Sequence, residues 1–196
     1  MIIKNINGTE NGHSFVDLGL PSGLLWATCN VGADAPEQAG LYFTGNEVKG
    51  YTAEQVADGE RKFDYQSYSN QLLRSTLAPQ EDAAHANMGG KWRMPTKEEF
   101  QELIDNCTSV WVDDFGGTGM TGRVFTSKKN GNTIFFPAAG FGQDSSVYDV
   151  YSDGLYWSTS WYSTSRSWYL EFDRMYAGMS NYQRYYGQSV RGVCES

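Results

Sequence analysis

The sequence predicts an α+β fold with two short helices and a strand-rich C-terminal half. The clearest helix begins at Thr96, which forms a capping box with Glu99 and is followed by apolar residues at three- and four-residue spacing. Beyond this helix, short apolar runs alternate with glycine-rich turns. Strands that are short, and grouped rather than alternating regularly with helices, are typical of the α+β class.

The first 43 residues are expected to contain short strands. Residues 1–14 form a polar lead-in, and Pro21-Ser22-Gly23 is a turn signal between strands over 15–18 and 24–29. Ala35-Pro36-Glu37 can start a single helical turn that ends at Gly40. Residues 41–43 read as a further short strand.

Between residues 45 and 77 the sequence is polar and weakly periodic, which indicates a surface excursion with a marginal helix around 53–58. Residues 79–87 predict a short helix, because proline and acidic residues lead it and Gly89-Gly90 follows it. The capped helix should cover 97–106 and bury one face.

The remaining elements are predicted strands. Asn130-Gly131 favours a hairpin turn, and an alternating pattern runs from Trp168 to Asp173. The expected strands cover 110–112, 123–126, 133–137, 155–160, the alternating segment, and 188–193.

The composition is that of an ordinary globular protein. The 196 residues carry a net charge of −8 with 40% hydrophobic and 19% charged residues, so disorder is not expected. The acidic balance argues against a broad phosphate-binding surface, and we expect no nucleic-acid partner. No 18-residue apolar run indicates a membrane-spanning helix, and the first residues are not typical of a signal peptide.

The three cysteines, Cys29, Cys107 and Cys194, lie far apart and show no zinc-ligand spacing. Buried free thiols and a single disulfide both agree with the sequence.

The strongest indication of function is the aromatic stretch from Tyr148 to Tyr186. Its 39 residues contain nine of the 13 tyrosines, three of the six tryptophans, seven serines and no lysine. Tyrosine and tryptophan provide stiff amphipathic contact area, while serine and glycine adapt their hydrogen bonds. This mixture is typical of a recognition surface.

Alternation within this stretch predicts which side chains face outward. Trp168, Leu170 and Phe172 should pack inward, as should Trp26, Trp92, Trp111 and Trp157. The candidate ligand-binding residues are the polar and phenolic side chains of the opposite set: Tyr162, Ser163, Ser165, Ser167, Tyr169, Glu171, Asp173, Tyr176, Asn181, Tyr182 and Tyr185. The alternative to a binding surface is an ordinary solvent-exposed surface with scattered aromatic residues.

Five sequence blocks together resemble a known family. They are VDLGLPSGLLWATCNVGA at 16–33, GGKWRMPTKEEFQELI at 89–104, GNTIFFPAAG at 131–140, GLYWSTS at 154–160 and YYGQSVRGV at 185–193. In this order they resemble the "major paralogous domain" family of Bacteroidetes and Fibrobacter surface proteins. The resemblance covers about residues 15–194.

The resemblance implies a C-type lectin-like fold close to that of formylglycine-generating enzymes. The same fold and C-terminal layout are similar to those of the variable proteins of diversity-generating retroelements. In those proteins a C-terminal segment is mutated at adenines and forms a ligand-binding face. The corresponding region here is about 148–191, rich in Tyr, Ser, Asp and Gly. Undiversified relatives can carry similar loops, so the sequence leaves diversification open.

Evidence for catalysis is weak. The formylglycine-generating relatives use a cysteine pair in the C-terminal half, where this chain has only Cys194. His85 lies on an alanine-rich helix, and the paired carboxylates at 81–82 and 98–99 fit helix starts. Asp113-Asp114 could bind calcium or simply form an acidic turn, and the sugar-binding calcium motifs of lectins are absent.

We therefore expect a non-enzymatic protein without cofactor or metal that binds a macromolecule, either a host-surface protein or a glycan. It would face the extracellular side, on a phage virion or a bacterial surface, with diversification left open by the sequence. The alternatives are a structural virion or pilus-tip module and, less favoured, an enzyme with a formylglycine-generating-enzyme-like fold.

Overall fold

The computed structural model describes residues 7–68 and 78–196, and its secondary structure is mixed, rich in strands and poor in helix, as an α+β fold requires. Within these residues the strands form four antiparallel sheets of two to four strands each. None of the helices in the described part of the chain has the length and apolar character that a membrane crossing requires.

The first sheet joins the two ends of the chain. Its strands are ordered β1 (Gly8–Glu10), β2 (His13–Asp17), β3 (Leu24–Asn30) and β12 (Arg191–Glu195). The strands predicted around Pro21 are confirmed, and residues 8–10 and 13–14 of the polar lead-in take part in this sheet. The last strand begins at Arg191, whereas Gln188 and Ser189 form isolated bridges instead.

In the described part of the chain, three short α-helices follow the first three strands in sequence. Helix α1 (Ala53–Ala57) and helix α3 (Lys97–Asn106) form where the sequence predicts them, each with a complete capping box. The helix predicted over 79–87 is divided into a 3₁₀ turn, Pro79–Glu81, and helix α2 (Ala83–Met88).

The division falls at Asp82, whose extended backbone interrupts the helix while its side chain caps α2 by accepting a hydrogen bond from His85 N. The helical turn expected at Ala35 is only a turn. Of the polar excursion over 45–77, residues 69–77 lie outside the described residues.

A second sheet follows α3 and is ordered β4 (Cys107–Val112), β5 (Gly122–Ser127) and β6 (Thr133–Pro137). A small hairpin, β7 (Phe141–Gln143) and β8 (Ser146–Tyr148), comes next. The hairpin turn predicted at Asn130-Gly131 is confirmed by the pairing of β5 with β6.

The sheet that organises the aromatic stretch is ordered β11 (Ala177–Gln183), β10 (Arg166–Phe172) and β9 (Gly154–Trp161). Both faces of this sheet are covered. One face packs against α3 through Tyr156, Leu170 and Phe172 in the first core cluster. The other face carries Trp157 and Tyr169 into a second core cluster.

This double coverage overturns part of the predicted alternation. Leu170 and Phe172 are buried as expected, but Ser167 and Tyr169, predicted to face solvent, are 0% and 4% exposed. Trp168, predicted to pack inward, is only partly buried, and the pairing of β10 with β9 shifts register between Ser167 and Tyr169. A strand of this sheet has no solvent face in its middle, so period-two patterning cannot identify an outer surface there.

The tryptophans expected in the core are found there in three of four cases. Trp26, Trp92 and Trp157 are fully buried, and Trp111 is partly buried against the first cluster. All three cysteines are free thiols, with Cys107 and Cys194 buried and Cys29 partly exposed.

Candidate functional site

The candidate site is a group of aromatic side chains at one end of the β9–β10–β11 sheet, which we call the aromatic cluster. Tyr182 and Tyr186 stack with ring centres 4.4 Å apart and planes inclined by 14°. Tyr185 lies 4.6 Å from Tyr186 and 6.2 Å from Tyr65. Phe141 completes the other side, 6.1 Å from Tyr182 and from Tyr148. The cluster comprises Tyr65, Phe141, Tyr148, Tyr182, Tyr185 and Tyr186.

Three segments that are distant in sequence supply these rings. Backbone hydrogen bonds between Gly142 and Gly187, 2.7 and 2.9 Å long, join the β7–β8 hairpin to the segment after β11. A second bridge joins Phe63 to Asp144, which brings the segment of Tyr65 beside the hairpin. The cluster is therefore held by main-chain contacts on each of its segments.

Two glycines make this approach possible. A Cβ atom at Gly142 would lie 2.3 Å from the Phe63 ring, and one at Gly187 would lie 2.6 Å from it. Such distances are shorter than any side chain tolerates, so only glycine lets the hairpin and the Gly187 segment close over the buried Phe63. Phe63 thus supports the cluster from beneath.

The cluster continues into the core. The ring of Tyr182 lies 6.1 Å from that of Tyr169, which in turn lies 6.0 Å from Trp157. Packing against the buried Tyr169, which is itself backed by Trp157, therefore fixes the orientation of the Tyr182 ring. A rigid aromatic surface of this kind loses little conformational entropy when it binds a partner.

The outer rings remain accessible. Tyr65 is 62% exposed and Tyr148 46% exposed, while Tyr182, Tyr185 and Tyr186 are partly exposed. Partial burial, together with the neighbouring phenols and Asp144, raises the pKa of Tyr185 and of Tyr186. At neutral pH these phenols are therefore hydrogen-bond donors as well as apolar contact area.

The predicted binding residues divide into three groups. The first group lies at the end of the sheet that carries the cluster, and it includes Tyr182, Tyr185 and residues of the exposed β9–β10 turn. The hydrogen bond from Arg184 N to Ser165 O joins this turn to the cluster. This first group comprises Tyr162, Ser163, Ser165, Asn181, Tyr182 and Tyr185.

The second group lies at the opposite end, in and beside the β10–β11 turn. The Asp173 carboxylate accepts hydrogen bonds from Met175 N and Tyr176 N, so it shapes the turn, and Tyr176 is 52% exposed. Glu171, which pairs with Gly178 one position before the end of β10, belongs to this group and is partly buried. Ser167 and Tyr169 form the third group, inside the molecule.

Sequence reasoning missed Tyr65, Phe141, Tyr148 and Tyr186 as members of one surface. Tyr148 and Tyr186 mark the limits of the aromatic stretch, so composition pointed to them. Nothing in the local sequence of Tyr65 or Phe141 indicates that they lie beside that stretch, because their position depends on the contacts of Phe63 and Gly142.

The candidate catalytic and metal-binding groups have structural partners. His85 is exposed, and its Nδ1 lies 3.2 Å from the Trp92 carbonyl oxygen. Asp113 pairs with Arg174 and accepts a 3.0 Å hydrogen bond from Trp111, while Asp114 accepts one from Gly119 N. In the part of the chain that the structure describes, no group of three His, Cys, Asp or Glu side chains is placed to hold a metal ion.

Comparison with known protein families finds a match to part of the chain. A family model described as a domain of unknown function, DUF8237, matches residues 122–193, which include the β9–β10–β11 sheet and most of the aromatic cluster. No curated protein matches the chain. No solved structure matches it either.

Proposed function

We propose that this chain is a non-enzymatic binding protein that docks a macromolecular ligand, a host-surface protein or a glycan, on the aromatic cluster. The observation that carries the proposal is the cluster itself: six aromatic rings from three separate segments form one accessible surface on a rigid support. Partly exposed tyrosines backed by packed aromatic rings are the side chains that dominate binding energy at protein surfaces.

The charges beside the cluster oppose nucleic-acid binding. Asp144 lies near Tyr185 and Tyr186, and the stretch from 148 to 186 contains no lysine. Stacking surfaces for nucleic acids combine aromatic rings with a cationic groove that follows the phosphates. The proposed ligand is therefore neutral or basic where it meets the cluster.

The proposed fold is C-type lectin-like, within the coarser α+β class. The blocks that resemble the major paralogous domain family support it, because several of them meet in space. The first block forms β3, which pairs with β12 of the last block, and Arg93 of the second block bridges Val193. Blocks that contact one another form one structural unit rather than unrelated motifs.

We also propose that the protein belongs with the variable proteins of diversity-generating retroelements and faces the outside of a phage or bacterium. Diversification would then fall on accessible positions such as Tyr162, Ser163, Tyr182 and Tyr185 and spare the buried Ser167 and Tyr169. The genomic test is an adjacent reverse transcriptase with a near-copy of the 3′ coding segment that differs at adenines. A near-copy that differs from the coding segment in the codons of Ser167 and Tyr169 would contradict the assignment.

Binding is tested with a panel of host-surface proteins and a glycan array, followed by affinity measurement on the ligand that responds. The double variant Tyr148→Ser/Tyr185→Ser should lose at least 2 kcal/mol of binding free energy, about 30-fold in Kd, because it removes two rings of the cluster. The matched control is Tyr176→Ser, an exposed tyrosine at the opposite end of the same sheet. Equal loss in both variants, with unchanged thermal stability, would place the binding surface elsewhere.

A further inference from the structure

Acidic residues border the aromatic cluster on the side of the β7–β8 hairpin. Asp144 lies in the turn of this hairpin, where it is exposed. Burial raises the pKa of Tyr185 and of Tyr186, and the nearby Asp144 carboxylate adds to this effect. Asp149, which is also exposed, directly follows Tyr148 in the chain. The surface beside the rings is therefore negatively charged.

The basic residues that adjoin Phe63 and Tyr185 in the chain already have acidic neighbours. Among the described residues these pairs of opposite charge are Arg61 with Glu47, Lys62 with Asp64, and Arg184 with Glu81. Arg184 is also buried, so it presents no charge at the surface. The ion pairs found in the described part of the chain include neither Asp144 nor Asp149. Both carboxylates therefore face solvent without a basic partner from the described residues.

Cations in this protein stack on aromatic rings. The Nζ atom of Lys97 lies 3.8 Å from the centre of the Trp168 ring. The guanidinium carbon of Arg191 lies 4.4 Å from the centre of the Phe136 ring. The other described cations that stack in this way are Lys49, Arg61, Arg174 and Arg184. None of the described cations lies over the cluster rings of Phe141, Tyr148, Tyr182, Tyr185 and Tyr186. These rings therefore remain available to a cation from a ligand.

Four rings of the cluster form a continuous row. From Tyr148 through Phe141 and Tyr186 to Tyr185, successive ring centres are 6.1, 5.9 and 4.6 Å apart. The side chains of lysine and arginine combine an apolar stem, which packs on such rings, with a charged head group that stays in water. With Asp144 beside Tyr185 and Tyr186, the row offers an apolar surface for the stem and a negative charge for the head group.

We propose, on the basis of the binding function described above, that the aromatic cluster recognises lysine or arginine side chains of a protein ligand. The face of an aromatic ring and a carboxylate both attract positive charge, so their effects add. A neutral glycan carries no positive charge for either to attract. A glycan that contains acidic sugars is repelled by Asp144 and Asp149. Of the two ligand classes, the protein is therefore the one whose chemistry matches the surface.

The charge preference is tested on the full chain by isothermal titration with acetylated and amidated peptides. One peptide carries arginine, a second carries lysine, and a third carries citrulline, which keeps the shape of arginine without its charge. A neutral chitooligosaccharide is the glycan probe. We expect at least one charged peptide to bind about tenfold more tightly than the citrulline peptide, and added sodium chloride to weaken this binding. Equal affinity for all three peptides, or tighter binding of the oligosaccharide, would overturn the proposal.

A pair of matched variants localises the effect. Asp144→Asn removes the charge beside the cluster, and asparagine accepts the left-handed backbone of this position, where φ is 51°. It should weaken binding of the charged peptide about fivefold. Asp34→Asn makes the same change at an exposed residue after β3 and should leave the affinity unchanged. Equal weakening in both variants would reveal a general attraction of basic peptides to an acidic protein and contradict the site.

A comparison with the ring variants separates the ligand class from the binding function. The double variant Tyr148→Ser/Tyr185→Ser should lose the preference for the charged peptide, whereas Tyr176→Ser should keep it. If a glycan from the array binds the wild type and Asp144→Asn equally but fails to bind the double variant, the cluster is a binding surface and its cationic ligand is wrong. If the charged peptide binds the double variant as it binds the wild type, the rings do not recognise it and the proposal fails.

Discussion

At the scale of single residues, Tyr169 shows how composition and position diverge. It belongs to the stretch whose tyrosines suggest a recognition surface, yet it is 4% exposed and packs between Trp157 and Tyr182. In the binding function that we propose, its contribution is indirect, since it supports Tyr182 of the aromatic cluster. A tyrosine-rich sequence therefore contains both exposed side chains and the buried residues against which they pack.

We expect Tyr169→Ala to destabilise the protein by about 3–5 kcal/mol, because removing a buried aromatic ring leaves a cavity. Tyr176→Ala, at an exposed position, should change stability by no more than about 0.5 kcal/mol. Urea denaturation followed by circular dichroism measures both. A change in Tyr169→Ala as small as that of the control would mean that the ring is not part of the core.

The cysteines provide a second test at this scale. Burial raises the pKa of the Cys107 thiol and of the Cys194 thiol to about 11, so both remain protonated and shielded at neutral pH. Cys29 is partly exposed and lines a surface groove of about 320 Å³. Its accessibility should distinguish it from the other two.

In the folded protein at pH 8, we expect a thiol-specific chromogenic reagent to titrate one cysteine quickly and the other two only after denaturant is added. Replacing Cys29 by Ser should remove the fast phase and leave the slow phase intact. Fast reaction of all three thiols would show that Cys107 and Cys194 are accessible.

At the scale of secondary-structure elements, Asp82 joins three parts of the chain. Its carboxylate accepts a 2.9 Å hydrogen bond from His85 N at the start of α2 and bonds from Met94 N at 3.1 and 2.9 Å. It thereby caps a helix and anchors the segment that leads into α3. Burial raises the pKa of the Asp82 carboxyl, because removal from water disfavours its charged form.

We expect Asp82→Ala to lower the free energy of unfolding by about 2–3 kcal/mol, because it leaves a helix cap and a buried main-chain N–H without acceptors. Thr96→Ala, which removes only the cap of α3, should cost about 1 kcal/mol. Chemical denaturation measures the pair. An Asp82→Ala effect no larger than that of Thr96→Ala would show that Met94 N finds another acceptor.

At the scale of the whole molecule, many phenols and thiols are buried in their protonated form. Burial raises the pKa of Tyr68, Tyr156 and Tyr169 to about 12 from an ordinary value of 10.0, and burial raises that of Tyr42 further. A folded-state pKa above that of the unfolded chain means that the unfolded chain releases its protons first. The stabilisation that these buried phenols contribute is complete below pH 10 and is lost as the pH rises towards 12.

We therefore expect cooperative alkaline unfolding between about pH 10 and 12, in which phenolate absorbance from the buried tyrosines appears together with loss of near-ultraviolet circular dichroism. Tyr169→Phe should move the midpoint to higher pH, because it removes one ionisable group from the core. Ionisation of all tyrosines with the near-ultraviolet signal intact would contradict the burial of these phenols.

Much of the architecture follows from local patterns. The capping box at Thr96 and Glu99 predicts helix α3 at its observed bounds, and Asn130-Gly131 predicts the β5–β6 hairpin. Both are short-range effects, since a cap or a turn depends on residues within a few positions of each other. The strand β11 was missed because Ala177–Gln183 contains few β-branched residues and alternates weakly.

The amino-acid sequence was sufficient for the α+β class, the positions of most elements and the C-terminal aromatic stretch, since each depends on spacing or composition along the chain. The folded structure was needed to separate Tyr182 and Tyr185 at the surface from Ser167 and Tyr169 inside, and to bring Tyr65 and Phe141 beside them. The physical reason is that burial depends on what covers each face of a sheet. Here both faces are covered by segments far away in sequence, through contacts that no local pattern encodes.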